Sequence, residues 1–235
     1  LRVEADELLE QGNLEEAASF YDKALEYYQQ ASAVYQRIGE LKGLVEVLQK
    51  MADVLRNQGE SKGALEFLES ALQIAEDNGF NSMKAHVYST LGTIYNSQSN
   101  YKKASEVLQR GLEINTVLND RFFEASTLGR LGNTYIFLGQ IEDALKSYEE
   151  ALNIAREIGD KRGEGRHLGR LGAIYQSLSQ NEEAIKYYED AHRITRDIGD
   201  KKGEGVHLGN IGFIYQILGQ YEDAIKSYEE ALRIT

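Results

Sequence analysis

Along residues 121–160 the apolar positions fall into two helical stripes separated by a polar turn. Leu128, Leu131 and Tyr135 recur at i, i+3 and i+7, one face of a first helix. Ala144, Tyr148, Ala151 and Ala155 repeat the pattern on a second helix. Leu138-Gly139-Gln140 turns the chain between them, and Ile158-Gly159-Asp160 closes the segment. Gly suits the left-handed residue that ends a helix, and Asp suits the cap of the next one. The segment is therefore expected to be a helix-turn-helix hairpin.

A displacement of 40 residues brings the chain into register with itself. Leu131-Gly132-Asn133-Thr134-Tyr135 falls on Leu171-Gly172-Ala173-Ile174-Tyr175 and then on Ile211-Gly212-Phe213-Ile214-Tyr215. In the other direction it meets Leu91-Gly92-Thr93-Ile94-Tyr95 and, more faintly, Met51-Ala52-Asp53-Val54-Leu55. Residues 161–195 and 201–235 agree at 23 of 35 positions, too many for chance, so the units are copies. One continuous array over 1–235 is expected, with units at 1–40, 41–80, 81–120, 121–160, 161–200 and 201–235. Gly92, Gly132, Gly172 and Gly212 share one repeat position, and Ala64, Ala104, Ala144, Ala184 and Ala224 another. A mid-helix Gly costs roughly 1 kcal/mol against Ala, so its recurrence points to packing that a methyl group would obstruct.

Both ends depart from the rhythm. Gly12 lies 47 residues before Gly59, where 40 would keep step. The stretch 14–38 is thus expected to be one long helix with seven extra residues, about 10 Å of added length. Thr235 matches Thr195, which is followed by Arg-Asp-Ile-Gly-Asp. The chain is expected to stop inside its last helix without a polar cap, with further repeats or domains beyond it.

The pattern Leu-Gly-x-x-Tyr, eight residues, Ala-x-x-x-Tyr-x-x-Ala resembles the tetratricopeptide repeat (TPR) in a 40-residue form. Gly159-Asp160-Lys161-Arg162-Gly163-Glu164-Gly165-Arg166 is similar to segments of the LGN/Pins adaptors and of bacterial TPR sensor arrays. The resemblance implies an all-α, right-handed superhelical solenoid. It also implies that first helices line a concave groove and second helices the outside. A protein–protein interaction scaffold follows from it, and an enzyme does not.

Composition narrows the partners. The formal net charge is −12, whereas a nucleic-acid binder is expected to carry a basic face, so DNA, RNA and anionic membrane are not expected. Apolar runs are too short to span a bilayer. There is no Cys, which removes disulfides and thiolate metal sites and suits a reducing cytoplasm. Pro is absent as well, so Gly, Asn and Asp are left to punctuate the helices.

Residues suited to catalysis are sparse. Gly163-x-Gly165-x-x-x-Gly169 and its copy at Gly203 have the wrong spacing for a dinucleotide loop and read as helix-start packing. His167 and His207 share one repeat position and are expected to be structural, partly exposed histidines, with no metal or cofactor. Glu142/Lys146, Glu182/Lys186 and Glu222/Lys226 read as i,i+4 pairs on a solvated outer face.

The binding face is sought where the last two units diverge. Arg166/Val206, Arg170/Asn210, Ala173/Phe213 and Ser177/Ile217 fall at i, i+4, i+7 and i+11, one stripe of the first helix. Repeats drift where packing does not hold them. The same stripe carries Glu46, Lys50, Asp53 and Asn57, then His86, Thr90, Thr93 and Ser97, then Ser126, Arg130, Asn133 and Phe137. The expected peptide-binding residues are Arg130, Asn133, Phe137, Arg166, Arg170, Ser177, Asn210, Phe213 and Ile217. Arg suits carboxylates through paired hydrogen bonds, so an acidic peptide with an apolar anchor is the expected ligand. Gly129, Gly169 and Gly209 lie beside the stripe and are expected to let a ligand backbone approach. Against the chaperone-tail clamp of some TPR proteins, Arg166 and Arg170 match the third pair. Arg130 replaces the middle Asn, and Ser89 and Thr93 replace the first Lys and Asn. Two further readings stand beside peptide capture: a sensor or regulatory region of a larger bacterial signalling protein, and self-assembly into a homo-oligomer through uncapped ends.

Overall fold

The structure is a computed structural model that describes residues 1–234. Among the described residues there are twelve α-helices and no strand. They are α1 (Arg2–Ala17), α2 (Tyr21–Ile38), α3 (Leu41–Asn57), α4 (Ser61–Asp77), α5 (Asn81–Ser97) and α6 (Tyr101–Val117), then α7 (Arg121–Phe137), α8 (Ile141–Ile158), α9 (Lys161–Ser177), α10 (Asn181–Asp197), α11 (Lys201–Ile217) and α12 (Tyr221–Ile234). A helix reaching Thr235 was expected, and that residue lies outside the described ones.

The chain divides into two compact units, Leu1–Leu118 and Asn119–Thr235. In the first, α1 pairs with α2, α3 with α4 and α5 with α6, while α2 packs on α3 and α4 on α5. Its core runs through Tyr28, Val45, Leu68 and Ile94, all fully buried. In the second, α7 pairs with α8, α9 with α10 and α11 with α12, while α8 packs on α9 and α10 on α11. Tyr148, Leu171, Tyr188 and Ile214 anchor its core. Each unit is thus a stack of helical hairpins.

A left-handed residue ends the helices every 20 residues. Gly39, Gly59, Gly79, Gly139, Gly159, Gly199 and Gly219 have positive φ, and so do Ser19, Ser99, Asn119 and Ser179. At Gly159 the amide donates to Arg156 O at 3.2 Å, and the next amide, of Asp160, donates to Ala155 O at 2.8 Å, satisfying carbonyls that the helix leaves open. Asp160 Oδ1 then accepts from the Gly163 amide at 2.9 Å and caps α9, and Asp200 caps α11 in the same way through the Gly203 amide at 3.0 Å. The glycines after these caps serve helix starts.

Ser19 also corrects the reading of the first hairpin. No helix spans 14–38: α1 ends at Ala17, and α2, at 18 residues, is no longer than α8. Gly12 was matched to the wrong glycine. It occupies the packing position of Gly92, Gly132 and Gly172, while Ser19 fills the turn position of Gly59. The first hairpin therefore keeps the 40-residue rhythm and has no protruding end.

The packing glycines meet the obstruction expected of them. A methyl group on Gly12 would collide with the Tyr28 ring, and one on Gly132 would reach 2.7 Å from Tyr148, on Gly172 2.9 Å from Tyr188, and on Gly212 2.9 Å from Tyr228. Gly92 faces Leu108 in the same manner. Each tyrosine crosses the hairpin and places its hydroxyl on the first helix. Tyr148 donates to Asn133 Oδ1 at 2.7 Å and Tyr188 to Gln176 Oε1 at 3.0 Å. Burying one such ring contributes on the order of 2–3 kcal/mol.

Candidate functional site

The divergent stripe lies on the side of the first helices that the hairpin seam leaves uncovered. In the second unit Arg130, Arg166, Arg170, Ala173, Ser177 and Val206 are exposed, and Asn133 and Asn210 are half-buried. The large apolar members are open as well, Phe137 at 61%, Phe213 at 46% and Ile217 at 56% exposure. Ser177 spends its hydroxyl on Ile174 O at 2.7 Å, and Asn133 accepts from Tyr148, so neither side chain is wholly available.

Three of the arginines converge. A cavity of about 230 Å³ is lined by Arg130 and Asn133 of α7, Arg166 and Arg170 of α9, and Ser126, Gly129, Tyr148 and His167. Among the described residues, neither Arg166 nor Arg170 has a carboxylate within 4.0 Å, so neither is held by an ion pair to an adjacent hairpin. Two other cations near the start of α9 are occupied. Lys161 Nζ and Arg156 Nε hold the buried Glu164 at 2.7 and 3.0 Å. Burial works against ionisation of Glu164, but these two partners outweigh it and keep the carboxyl below its ordinary range. Glu124 and Glu204 repeat the device with Arg121 and Lys201 at 2.7 and 3.0 Å. These acids at 40-residue spacing tie α7, α9 and α11 at their N-terminal ends, a use that their charge alone did not suggest.

The histidines depart from expectation. His167 is only 2% exposed and His207 is buried too, because each ring fills a slot opened by a glycine one hairpin earlier. A methyl group on Gly129 would come within 2.8 Å of His167 Cε1, and one on Gly169 within 2.6 Å of His207 Cε1. Those two glycines are consequently covered by imidazole and give a ligand backbone no approach. Gly209 faces open space. Both nitrogens of His167 are buried without a hydrogen-bond partner. Burial, helped by the Arg166 charge and opposed by Asp160, lowers its pKa to about 4, so the ring is neutral near neutral pH. Tyr148, in the same wall, is pushed up to about 12 by burial against the pull of Arg170 and stays a hydrogen-bond donor.

His167 and Tyr148 were missed as cavity walls. The paired recurrence of Gly129 with His167 and of Gly132 with Tyr148 was the available signal, since a large ring opposite a glycine marks a close approach. The outer Glu–Lys pairs also shift by one residue: Lys186 and Lys226 sit 3.9 and 3.3 Å from Glu183 and Asp223. No group of three or more His, Asp or Glu among the described residues is placed to hold a metal ion, and no helix is long and apolar enough to cross a membrane.

Solved structures share this architecture. BtubC from P. vanneervenii superposes with a TM-score of 0.78 at 21% identity over 94% of this chain and 90% of its own. The STAND (Signal Transduction ATPase with Numerous Domains) protein with a tetratricopeptide repeat sensor from Pyrococcus horikoshii gives 0.86 at 22% identity, over 97% of this chain but 35% of its own. A Rap protein complexed with competence and sporulation factor gives 0.72 at 16% identity, over 98% and 74%. At these identities the likeness concerns the fold. No curated protein matches the sequence. The tetratricopeptide repeat model, however, matches residues 4–77, 46–116, 83–157, 123–197 and 163–235 in overlapping pairs of hairpins. With the glycine-to-ring seam and the 40-residue rhythm, this shows that the chain belongs to the tetratricopeptide repeat family.

Proposed function

We propose that the second unit binds a peptide or partner helix along the exposed stripe of α7, α9 and α11, and that the chain is a non-catalytic interaction scaffold of the cytoplasm. Membership of a family of protein-interaction modules supports the coarse reading. The finer one rests chiefly on Arg166 and Arg170, which stand exposed one helical turn apart with no carboxylate partner among the described residues. In an acidic chain of net charge −12, unpaired guanidinium groups beside exposed Phe137, Phe213 and Ile217 suit an acidic ligand with an apolar anchor.

The test is fluorescence anisotropy with labelled acidic peptides carrying one aromatic or aliphatic anchor. Arg166→Ala/Arg170→Ala is expected to weaken binding by tenfold or more, on the scale of a lost charge-assisted contact. Phe213→Ala should weaken it less. Unchanged affinity in the arginine variant removes both residues from the binding face.

A sensor region of a larger signalling protein is the second reading, motivated by the superposition on the STAND protein, of which this chain spans about a third. A nucleotide-binding or effector domain encoded beside this segment would support it. Self-assembly predicts instead a mass that grows with concentration in light scattering.

A further inference from the structure

The arginine cavity is lined by cations without a carboxylate, whereas the hollow between Glu149 and Glu183 mixes both signs. Arg130, Arg166 and Arg170 share its wall with Ser126, Asn133 and Tyr148, and no carboxylate lines it. Arg166 and Arg170, neither with a carboxylate within 4.0 Å among the described residues, repel one another across this hollow, and a single carboxylate would balance only one of them. A phosphoryl group brings about −1.5 to −2 charges at neutral pH and three strong acceptor oxygens. Guanidinium forks match those oxygens through paired donors. The hydroxyl of Ser126 and the amide of Asn133 are further polar groups of the same wall.

A second, independent feature points to an anion. His167 lies in this wall, 2% exposed, with both ring nitrogens unpartnered. Burying an unsatisfied polar ring costs stability unless something compensates. The groups facing it are Arg166 and Asp160 of its own helix region, Tyr148 of α8, and Arg130 of α7. An arriving anion would offset the charge that Arg166 places beside the imidazole.

We propose that this cavity receives a phosphorylated side chain of the bound peptide, its phosphoryl group held among Arg130, Arg166 and Arg170. The inference rests on the peptide-binding reading above and adds the chemistry of the residue that anchors the ligand. Carboxylate-only peptides then bind through the same stripe but leave the cavity charge partly unbalanced. The cavity thereby acts as the gauge of a modification state.

The experiment uses the full chain and three degenerate peptide libraries, alike except for a central phosphoserine, serine or glutamate, with inorganic phosphate as a fourth probe. Anisotropy reads the libraries, and the His167 ring resonances in NMR read the phosphate. The phosphoserine library should bind about tenfold tighter than the glutamate library, as one further charge-assisted contact requires. Arg166→Gln/Arg170→Gln should abolish that preference, while circular dichroism stays unchanged because both residues are exposed. Arg166→Lys/Arg170→Lys keeps the charge but loses the fork, and should keep only part of the preference. Equal binding of the phosphoserine and glutamate libraries overturns the phosphoryl assignment and leaves the peptide reading standing. Shifts of His167 by inorganic phosphate with no library binding overturn the peptide reading and make the cavity a free-phosphate site. Silence from all four probes overturns both.

Discussion

Helix α9 carries two faces with opposite histories. On one, Gly172 lies under the Tyr188 ring, and the same glycine and tyrosine recur in α11 and α12 as Gly212 and Tyr228. On the other, Arg166, Arg170, Ala173 and Ser177 give way in α11 to Val206, Asn210, Phe213 and Ile217. The two faces belong to the same turns of the same helix. What separates them is the room for change: a methyl group in the seam meets a ring below 3 Å, whereas the stripe meets solvent. A duplicated hairpin can therefore hold its fold constant while its exposed face acquires a different chemistry in each copy.

The largest effect should come from emptying the seam. Tyr148→Ala removes a fully buried ring and should cost about 3–5 kcal/mol, read as a lower urea midpoint at constant slope. Tyr148→Phe keeps the ring and loses only the bond to Asn133, a cost of about 1 kcal/mol. If the two variants unfold alike, the seam owes its constancy to the hydrogen bond and not to packing.

Next comes the buried imidazole. The folded pKa of His167, about 4, lies below the ordinary value of about 6.5, so the unfolded chain takes up the proton first. The stabilising contribution of the neutral ring is complete above about pH 6.5 and is lost as pH falls toward about 4, on the order of 3 kcal/mol in all. Thermal melts of the wild type and His167→Leu across that window should converge or cross on acidification. Parallel curves would show that the ring is not held neutral by its surroundings.

Glycine exchanges sharpen the contrast within one residue type. Gly132→Ala forces a methyl against Tyr148 and should cost about 1–3 kcal/mol, offset in part by about 1 kcal/mol of helix propensity. Gly209→Ala has open space and should stabilise by about 0.5–1 kcal/mol. Equal signs for the two in a denaturant series would break the distinction drawn between seam and stripe.

The smallest change in stability belongs to the stripe itself. Ala173→Phe with Ser177→Ile copies the α11 chemistry onto α9 and should alter stability by no more than about 0.5 kcal/mol. The same exchange should change which anchored peptides bind in an anisotropy series. A double variant that melts much earlier would mean that the face is part of the core after all.

The hairpins were legible because helical periodicity, the 40-residue displacement and glycine at helix ends are local signals. Gly159 and Asp160 show this well: a left-handed closing residue followed by a side-chain cap needs only a few neighbours in sequence. The first hairpin was misread for a related reason. Glycine serves both turn and seam in this chain, and with Ser19 in the turn, nothing in the local sequence said which role Gly12 plays.

Sequence alone thus determined the helical hairpins from residue 41 onward and the stripe on which α9 and α11 differ, since these follow from spacing along one chain. Tertiary structure decided what lies opposite what. Only the packing of α7, α8 and α9 shows that imidazole fills the slot over Gly129, that Glu164 is spent on Arg156 and Lys161, and that three arginines share one hollow. Side chains from different helices acquire their partners, and therefore their charge state and availability, when the hairpins close on one another, and no period along the chain encodes that distance.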